Sequence, residues 1–520
     1  MNTATLPDNP AELKEIIERN LSRIEYLEER IRILTHALFG RKSEKLAPPE
    51  EELHQLHLFN EAEVLVESEK EESFTVPAHI RKKPKRKPLP ADLPRVEVVH
   101  DISDEEKVCG CGEQLSKIGE EVSEKLDIIP AKIRVIRHIR FKYACKACEG
   151  VQTEGPTVKI APPEPEMIPK GIATAGLLAH IAVSKYQDAL PLYRQEKIFL
   201  RHGLDLSRST MAGWMVRSAE SCRPLMDLLE KELLLGPLVN ADETPVQVLN
   251  EPGRENATQS YMWVFRGGNP FKPVILFRYH PTRSGDVPRE ILKGYQGYLQ
   301  TDAFSAYEGI EKEMPGIVLV GCFAHARRNF VKVIAARGAE AKKKPGSAEV
   351  ALEYIRKLYA IEKITRNSGL SPPEMVELRK EKAKPILDEF HEWLKKKATQ
   401  TPPKGLLGKA VSYALNHWPK LIRYLQNEHI TPDNNLAENA IRPFVIGRKN
   451  YLFMGHPNGA HAAATLYSLI ETAKANGLEP YQYLRYLFEK LPYAQNDEDY
   501  KALLPQNLTA EMLAHFMSTL

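Results

Sequence analysis

The chain has 520 residues, of which 42% are hydrophobic, and its 72 Lys and Arg against 69 Asp and Glu leave a formal net charge of +3. At about one domain per 150 residues, this length is too great for one compact core, and the near cancellation of charge makes charge informative only where it is segregated. The longest uncharged apolar stretch, Ile172 to Val183, contains His180 and falls far short of the roughly 20 residues that cross a bilayer, which excludes a membrane-spanning class.

The opening residues lack a basic start followed by an apolar block, so a cytoplasmic protein is expected. In that reducing compartment the six cysteines read as metal ligands or buried thiols rather than disulfides. Residues 1–46 form the first unit. Within it Ile17, Ile24, Ile31 and Leu38, with Leu13, Leu27 and Leu34 on companion positions and Asn20 among the latter, predict a helix bearing a short heptad seam. Such a seam serves either a dimeric coiled coil or packing on its own protein. Residues 47–95 read as a linker, acidic from Glu50 to Glu72 and then basic and Pro-rich. Its cations Arg81, Lys82, Lys83, Lys85, Arg86 and Lys87, broken by Pro84, can lie along phosphates or serve a solvated tether.

Residues 96–155 carry Cys109-Gly-Cys111 and Cys145-Lys-Ala-Cys148 around strand-like sequence such as Ile133 to Phe141. Two cysteine pairs joined by strands predict a zinc-ribbon-like module, because four thiolates supply soft tetrahedral ligands and the metal replaces the core that so small a unit lacks. His100 or His138 can substitute as ligand, and Cys222 and Cys322 stand alone as buried thiols. Residues 165–235 are helical. There Pro191 to Arg201, a turn at Gly203 and Ser207 to Ser218 resemble a helix-turn-helix, with Ser207 as N-cap and Arg208 at the DNA-facing end of the second helix. An ordinary helical hairpin has the same pattern.

Residues 236–330 alternate strand-like runs with turns: Leu238 to Asn240, Val246 to Leu249, Tyr261 to Phe265, Val274 to Tyr279, Tyr298 to Gln300 and Ile317 to Val320. A mixed sheet is expected, with a hairpin at Gly267, Gly268, Asn269 and Pro270. Residues 331–430 read as a Lys-rich helical insertion, including a helix broken near Pro385. Residues 431–490 return to the α/β core. Glu438 opens a helix that Pro443 ends or kinks, and a last amphipathic helix through Leu466, Leu469, Ile470 and Ala473 closes over the sheet. Residues 491–520 form a C-terminal tail.

Three acids, Asp242, Asp302 and Glu438, each lie where a strand-like run ends or a helix begins. Widely separated carboxylates of this kind build two-metal sites: Mg²⁺ or Mn²⁺ takes hard oxygen ligands, and two ions about 3.5 to 4 Å apart serve the attacking and leaving oxygens of a phosphodiester. Arg442, one helical turn beyond Glu438, with Arg448 and Lys449, then offers phosphate contacts. Each acid also has a local reading. Asp242 can cap the turn at Thr244 and Pro245, Asp302 can start a helical turn, and Asn435 with Glu438 fits a capping box, while Glu243 and Asp433 are rival ligands.

Taken together, these motifs resemble the DDE-type transposases of the insertion-sequence-sixty-six family, in particular their large transposase protein. The resemblance runs through Phe39-Gly-Arg-Lys-Ser-Glu-Lys-Leu46, Leu89-Pro-Ala-Asp-Leu-Pro-Arg95, the cysteine module, Leu190-Pro-Leu-Tyr-Arg-Gln-Glu196 and Ala241-Asp-Glu-Thr-Pro245. It continues through Cys322-Phe-Ala-His-Ala-Arg-Arg328, Asp433-Asn-Asn-Leu-Ala-Glu438 and Gly447-Arg-Lys-Asn-Tyr-Leu-Phe453. It departs at Cys109-Gly-Cys111, where the family usually has two residues between the cysteines.

The resemblance implies a multidomain α+β chain with an RNase H-like α/β core and a helical insertion before the glutamate. It further implies Asp242, Asp302 and Glu438 as the metal triad for two Mg²⁺ or Mn²⁺ ions, and one structural Zn²⁺ on Cys109, Cys111, Cys145 and Cys148. Cys322 and His325 match a Cys-x-x-His element found between the second and third acids of many such transposases, and Arg327 and Arg328 beside it join the candidate DNA contacts. The implied activity is cleavage at terminal inverted repeats of double-stranded DNA and transfer to target DNA, by a homo-oligomer and with small companion proteins of the same element. A catalytically inactive DNA-binding regulator and a nuclease without strand transfer are the rival readings.

Overall fold

The computed structural model describes residues 133–144, 158–302, 304–337 and 346–519, together with Leu27. The chain divides into two units, one of Glu69–Ala161 and one of Met1–Ser68 with Pro162–Leu520. In the first, β1 (Lys142–Ala144) and β2 (Val158–Ile160) pair antiparallel, Lys142 against Ile160. The run Ile133 to Phe141, expected as strand, is irregular and exposed, and pairing begins only at Lys142. Cys109, Cys111, Cys145 and Cys148, the basic run Arg81 to Lys87 and the heptad seam apart from Leu27 lie outside the described residues.

Among the described residues from Pro162 onward, the larger unit begins with four helices whose starts follow from local chemistry. Thr174 caps α1 (Ala175–Tyr186), its hydroxyl accepting from the Leu177 N–H at 3.3 Å. Pro191, with φ already set, precedes α2 (Leu192–Arg201), and Gly203 at φ 77° turns the chain. Ser207 caps α3 (Arg208–Ser221) through the Thr210 N–H at 3.2 Å, and Met211, Trp214, Met215 and Ser218 line its buried face at helical spacing. In α4 (Arg223–Leu233), Leu225, Leu228, Leu229 and Leu233 do the same.

A five-stranded mixed sheet follows: β3 (Leu238–Gln247), β4 (Gln259–Asn269), β5 (Lys272–His280), β6 (Gly297–Gln300) and β7 (Ile317–Val320), in the order β5-β4-β3-β6-β7. Only β4 runs against the others. The two runs expected at Leu238 to Asn240 and Val246 to Leu249 are largely one strand, because the polar residues between them keep their ladder with β4, Asp242 opposite Val264 and Thr244 opposite Met262. The hairpin between β4 and β5 turns at Pro270 and Phe271, between paired Asn269 and Lys272. Gly236 lies so close to this hairpin that a Cβ would stand 1.8 Å from the Gly268 carbonyl oxygen, so only glycine fits there.

After β7 come α5 (Phe323–Arg337), α6 (Ser347–Asn367), α7 (Pro372–Gln400) and α8 (Leu406–Asn416), which share a core of Phe323, Phe330, Ile355, Leu358, Leu387, Phe390, Val411 and Trp418. The break expected near Pro385 is absent, and Pro443, expected to end or kink its helix, does not end it. The helix α7 runs through Pro385, and α9 (Asn435–Tyr451) runs through Pro443, because buried residues on both sides of each proline hold the helix together at the cost of a backbone bond.

The helix α10 (Pro457–Ala475) covers the edge of the sheet. Ser468 and Thr472 accept the Phe277 and Ile275 N–H groups of β5 at 2.7 and 3.0 Å, and Asn476 donates to the Pro273 carbonyl at 2.9 Å. It is not the last helix. The helix α11 (Pro480–Lys490) and helices at Asp497–Ala502 and Ala510–Ser518 follow, and Leu503, Leu504, Leu508 and Leu513 join the main core where a tail was expected. The fold is therefore mixed α/β and mostly helical, and no helix among the described residues is long and apolar enough to cross a membrane.

Candidate active site

Strand register brings the first two acids together. The parallel pair β3 and β6 sets Asn240 opposite Gln300, so Asp242 and Asp302 each follow two residues beyond matched positions on neighbouring strands. Asp242 stands on the central strand, its Oδ1 accepting the Glu243 N–H at 2.9 Å. Asp302 leaves the end of β6, its Oδ1 accepting the Phe304 N–H at 2.9 Å and its carbonyl accepting the Tyr413 hydroxyl at 3.1 Å.

Glu438 comes from a helix, in the first turn of α9. The capping box expected between Asn435 and Glu438 is absent. Asn434 is the N-cap and makes no side-chain cap bond, while Asp433 Oδ1 accepts the Asn435 N–H at 3.1 Å. Asn434 is spent on the sheet instead. Fully buried, it donates to the Ala241 carbonyl at 2.9 Å, its Oδ1 accepts from Asn240 at 3.0 Å, and its N–H donates to Cys322 Sγ at 3.2 Å. Asn240 also donates to Gln300 at 3.0 Å, and Gln300 to the Thr431 carbonyl at 2.7 Å. This amide network locks β3, β6 and the start of α9 in one arrangement, which fixes Glu438 against the two aspartates.

The electrostatics carry the mark of crowded acids. Burial holds Asp242 well above the ordinary carboxylate range, and the charges of Glu243, Asp302 and Glu438 raise it further. Burial also raises Asp302, opposed by the Phe304 N–H and by Arg283 and Arg328. Glu438, 2% exposed, is pushed up to about 7 by burial even though Arg328 Nη2 donates to its Oε1 at 2.5 Å. Glu243 reaches about 7 for the same reason, beside Arg283 and Tyr307. Several buried like charges with hard oxygen donors leave a negative potential that a divalent cation relieves, so Asp242, Asp302 and Glu438 fit such a group. Cys322, His325 and Glu438 also offer sulfur, nitrogen and oxygen atoms within 4.8 Å of one another. His325 Nε2 lies 3.1 Å from Arg328 and its Nδ1 3.7 Å from Glu438.

The candidate DNA contacts separate. Arg208 is exposed at the start of α3, its N–H bonded to Glu196 at 3.0 Å, and Arg442 and Lys449 are exposed on α9. Arg327, Arg328 and Arg448 are not on such a surface. Arg327 is 9% exposed, Arg328 is bound to Glu438, and Arg448, 7% exposed, donates to Thr244 at 3.1 Å and to the Pro245 carbonyl, joining α9 to β3. Sequence reasoning passed over Asn240, Gln300, Asn434, Arg283 and Tyr307. A signal for two of them existed, since Asn240-x-Asp242 and Gln300-x-Asp302 repeat one pattern. Arg283 and Tyr307 had none.

Comparisons with known proteins agree along the chain. The family model described as "Transposase IS66 family" matches residues 170–462, and "zinc-finger binding domain of transposase IS66" matches residues 106–149. "IS66 C-terminal element" matches residues 468–506, and "Transposase C of IS166 homeodomain" matches residues 26–98. Among similar proteins, the uncharacterized protein y4qI of Sinorhizobium fredii is 33% identical over 519 residues, covering 97% of this chain and 92% of the relative. The uncharacterized protein y4hP of the same organism is 31% identical, covering 88% of this chain and 84% of the relative.

Proposed function

The chain belongs to the IS66 transposase family, and on that premise we propose that it is a DDE-type polynucleotidyl transferase acting on the terminal inverted repeats of an insertion sequence. Family membership itself carries a transposase role with DNA as partner, a nucleotidyl-transferase domain, a zinc-finger domain and a leucine-zipper-like segment. The finer reading rests on one observation: Asp242 and Asp302 stand at matched positions on parallel neighbouring strands, with buried Glu438 against them. The strand order, with β4 alone reversed, supports an RNase H-like core interrupted by the helices of residues 331–430.

In this reading Asp242, Asp302 and Glu438 hold two Mg²⁺ or Mn²⁺ ions, which when bound activate the attacking oxygen and stabilise the leaving one. The chain's own part is to gather the carboxylates, exclude bulk water and hold the phosphodiester in line. In the first step a water oxygen bonds to phosphorus and the bond to the 3′ oxygen breaks. One water proton ends on the 3′-hydroxyl, and the other stays on the new 5′-phosphate or passes to solvent. In the second step that 3′-hydroxyl oxygen bonds to a target phosphorus as the target's bond from phosphorus to its own 3′ oxygen breaks, and the proton lost by the attacking hydroxyl is balanced by one taken up on the departing target 3′-hydroxyl. The zinc-finger match over residues 106–149 supports Cys109, Cys111, Cys145 and Cys148 as the residues that would hold a structural Zn²⁺. The basic run Arg81 to Lys87, the helices α2 and α3 with Arg208, and Arg442 and Lys449 take DNA, in a homo-oligomer that holds two ends and works with companion proteins of the element.

The test uses full-length protein, Mg²⁺, a labelled terminal repeat and a target plasmid. Wild type is expected to nick and join the repeat, and Asp242→Asn to do neither. Nicking or joining by the variant would refute the triad, and nicking without joining by the wild type would replace transfer by nuclease activity.

A further inference from the structure

Arg283 follows β5 on the loop beyond His280, at the sheet end toward which β3, β5 and β6 all run. Two of its nitrogens are committed. Nε and Nη2 donate to Glu243 Oε1 at 2.9 and 2.6 Å, while the Tyr307 hydroxyl donates to the other oxygen of Glu243 at 2.8 Å. One face of the guanidinium is covered as well, its carbon lying 3.4 Å from the centroid of Phe304, two residues after Asp302. A planar fork held along one edge and one face has a single orientation left.

Among the described residues Nη1 has no hydrogen bond, and the side chain keeps 32% exposure while Glu243 keeps 0%. The anchor of Arg283, Glu243, directly follows Asp242, and the Phe304 ring beneath the guanidinium follows Asp302 by two residues. A preoriented cation with unused donors thus stands at the rim of the acid cluster, anchored by an acid that is not one of the three.

We propose that Arg283 is a further catalytic residue, whose Nη1 edge donates to a nonbridging oxygen of the phosphodiester held at Asp242, Asp302 and Glu438, and that Glu243 and Tyr307 are its positioning residues. The assignment rests on the function proposed above. Charge builds on the nonbridging oxygens during an in-line displacement, and a fixed donor aimed there lowers the barrier without reorganising. Glu243, immediately after Asp242, therefore serves as the anchor of a phosphate-facing arginine and not as a rival metal ligand.

Full-length wild type, Arg283→Gln, Arg283→Lys, Glu243→Gln and Asp242→Asn are compared by single-turnover cleavage of a labelled repeat, by Mn²⁺ binding and by DNA affinity. Arg283→Gln is expected to slow cleavage about 100-fold while Mn²⁺ and DNA dissociation constants move less than about threefold, the size of effect seen for a single preorganised donor. Arg283→Lys recovers part of the rate, and Glu243→Gln falls between Arg283→Gln and wild type. Wild-type cleavage by Arg283→Gln, or loss of Mn²⁺ binding in step with rate, overturns this assignment alone. A wild type that does not cleave, or an Asp242→Asn protein that does, overturns the function beneath it and this assignment with it.

Discussion

Glu438 and Glu243 titrate near 7 against 4.5 for an unperturbed glutamate because burial penalises their charged forms. Between those values the folded protein binds more protons than the unfolded chain, so this contribution to stability is fully present below about 4.5 and is lost as pH rises through about 7. Metal-free protein is expected to lose melting temperature across that window by more than Glu438→Gln does, and Mg²⁺ is expected to recover the loss above pH 7. Equal slopes for wild type and variant in thermal scans would sink the account. At this scale the placement of Asp242 on a strand, Asp302 after a strand and Glu438 in the first turn of a helix was legible in sequence, because strand-like runs and helix starts are local patterns. Arg283 and Tyr307 were not, because nothing local marks an arginine whose partner lies 40 residues away.

Elements were read well where a cap or a hydrophobic period determines them and poorly where packing overrides a local rule. Ser207 and the buried stripe of α3 follow from sequence, whereas Pro385 and Pro443 sit inside helices that buried neighbours keep intact. The edge strand β5 shows the same override. Its N–H groups are satisfied by Ser468 and Thr472 of a helix almost two hundred residues later, at |i−j| of 191 and 197. Thr472→Val keeps the shape but leaves the buried Ile275 N–H and carbonyl without their partner, at a cost of about 1–3 kcal/mol. Urea melts are expected to record that loss with DNA affinity unchanged; a loss of DNA affinity at full stability would mean that Thr472 serves the site and not the edge.

At the scale of the molecule, the helices between β7 and α9 are tied to the segment that delivers Glu438. Arg379, 1% exposed, donates to both oxygens of Glu362 at 2.9 and 2.6 Å and to the carbonyls of Tyr424 and Asn427 at 3.3 and 2.8 Å, just upstream of Asn434. Arg379→Met leaves the buried Glu362 with Arg366, at 3.0 Å and half exposed, as its remaining ion-pair partner, and is expected to cost about 3 kcal/mol, of which Glu362→Gln in the same chain recovers part. A double variant no more stable than the single one would show that the carbonyl contacts, not the ion pair, hold this junction. The family, a mixed sheet and the helical block that follows it were readable from sequence alone, since motif order, periodicity and capping are local properties. Only the tertiary structure decided that β3 and β6 run parallel with Asn240 opposite Gln300, that Asn240, Gln300 and Asn434 tie the start of α9 to both strands, that Arg448 faces inward and that Arg283 is held by Glu243. Each of these depends on contacts between residues tens to hundreds of positions apart, whose free energy exists only once the chain has closed around them.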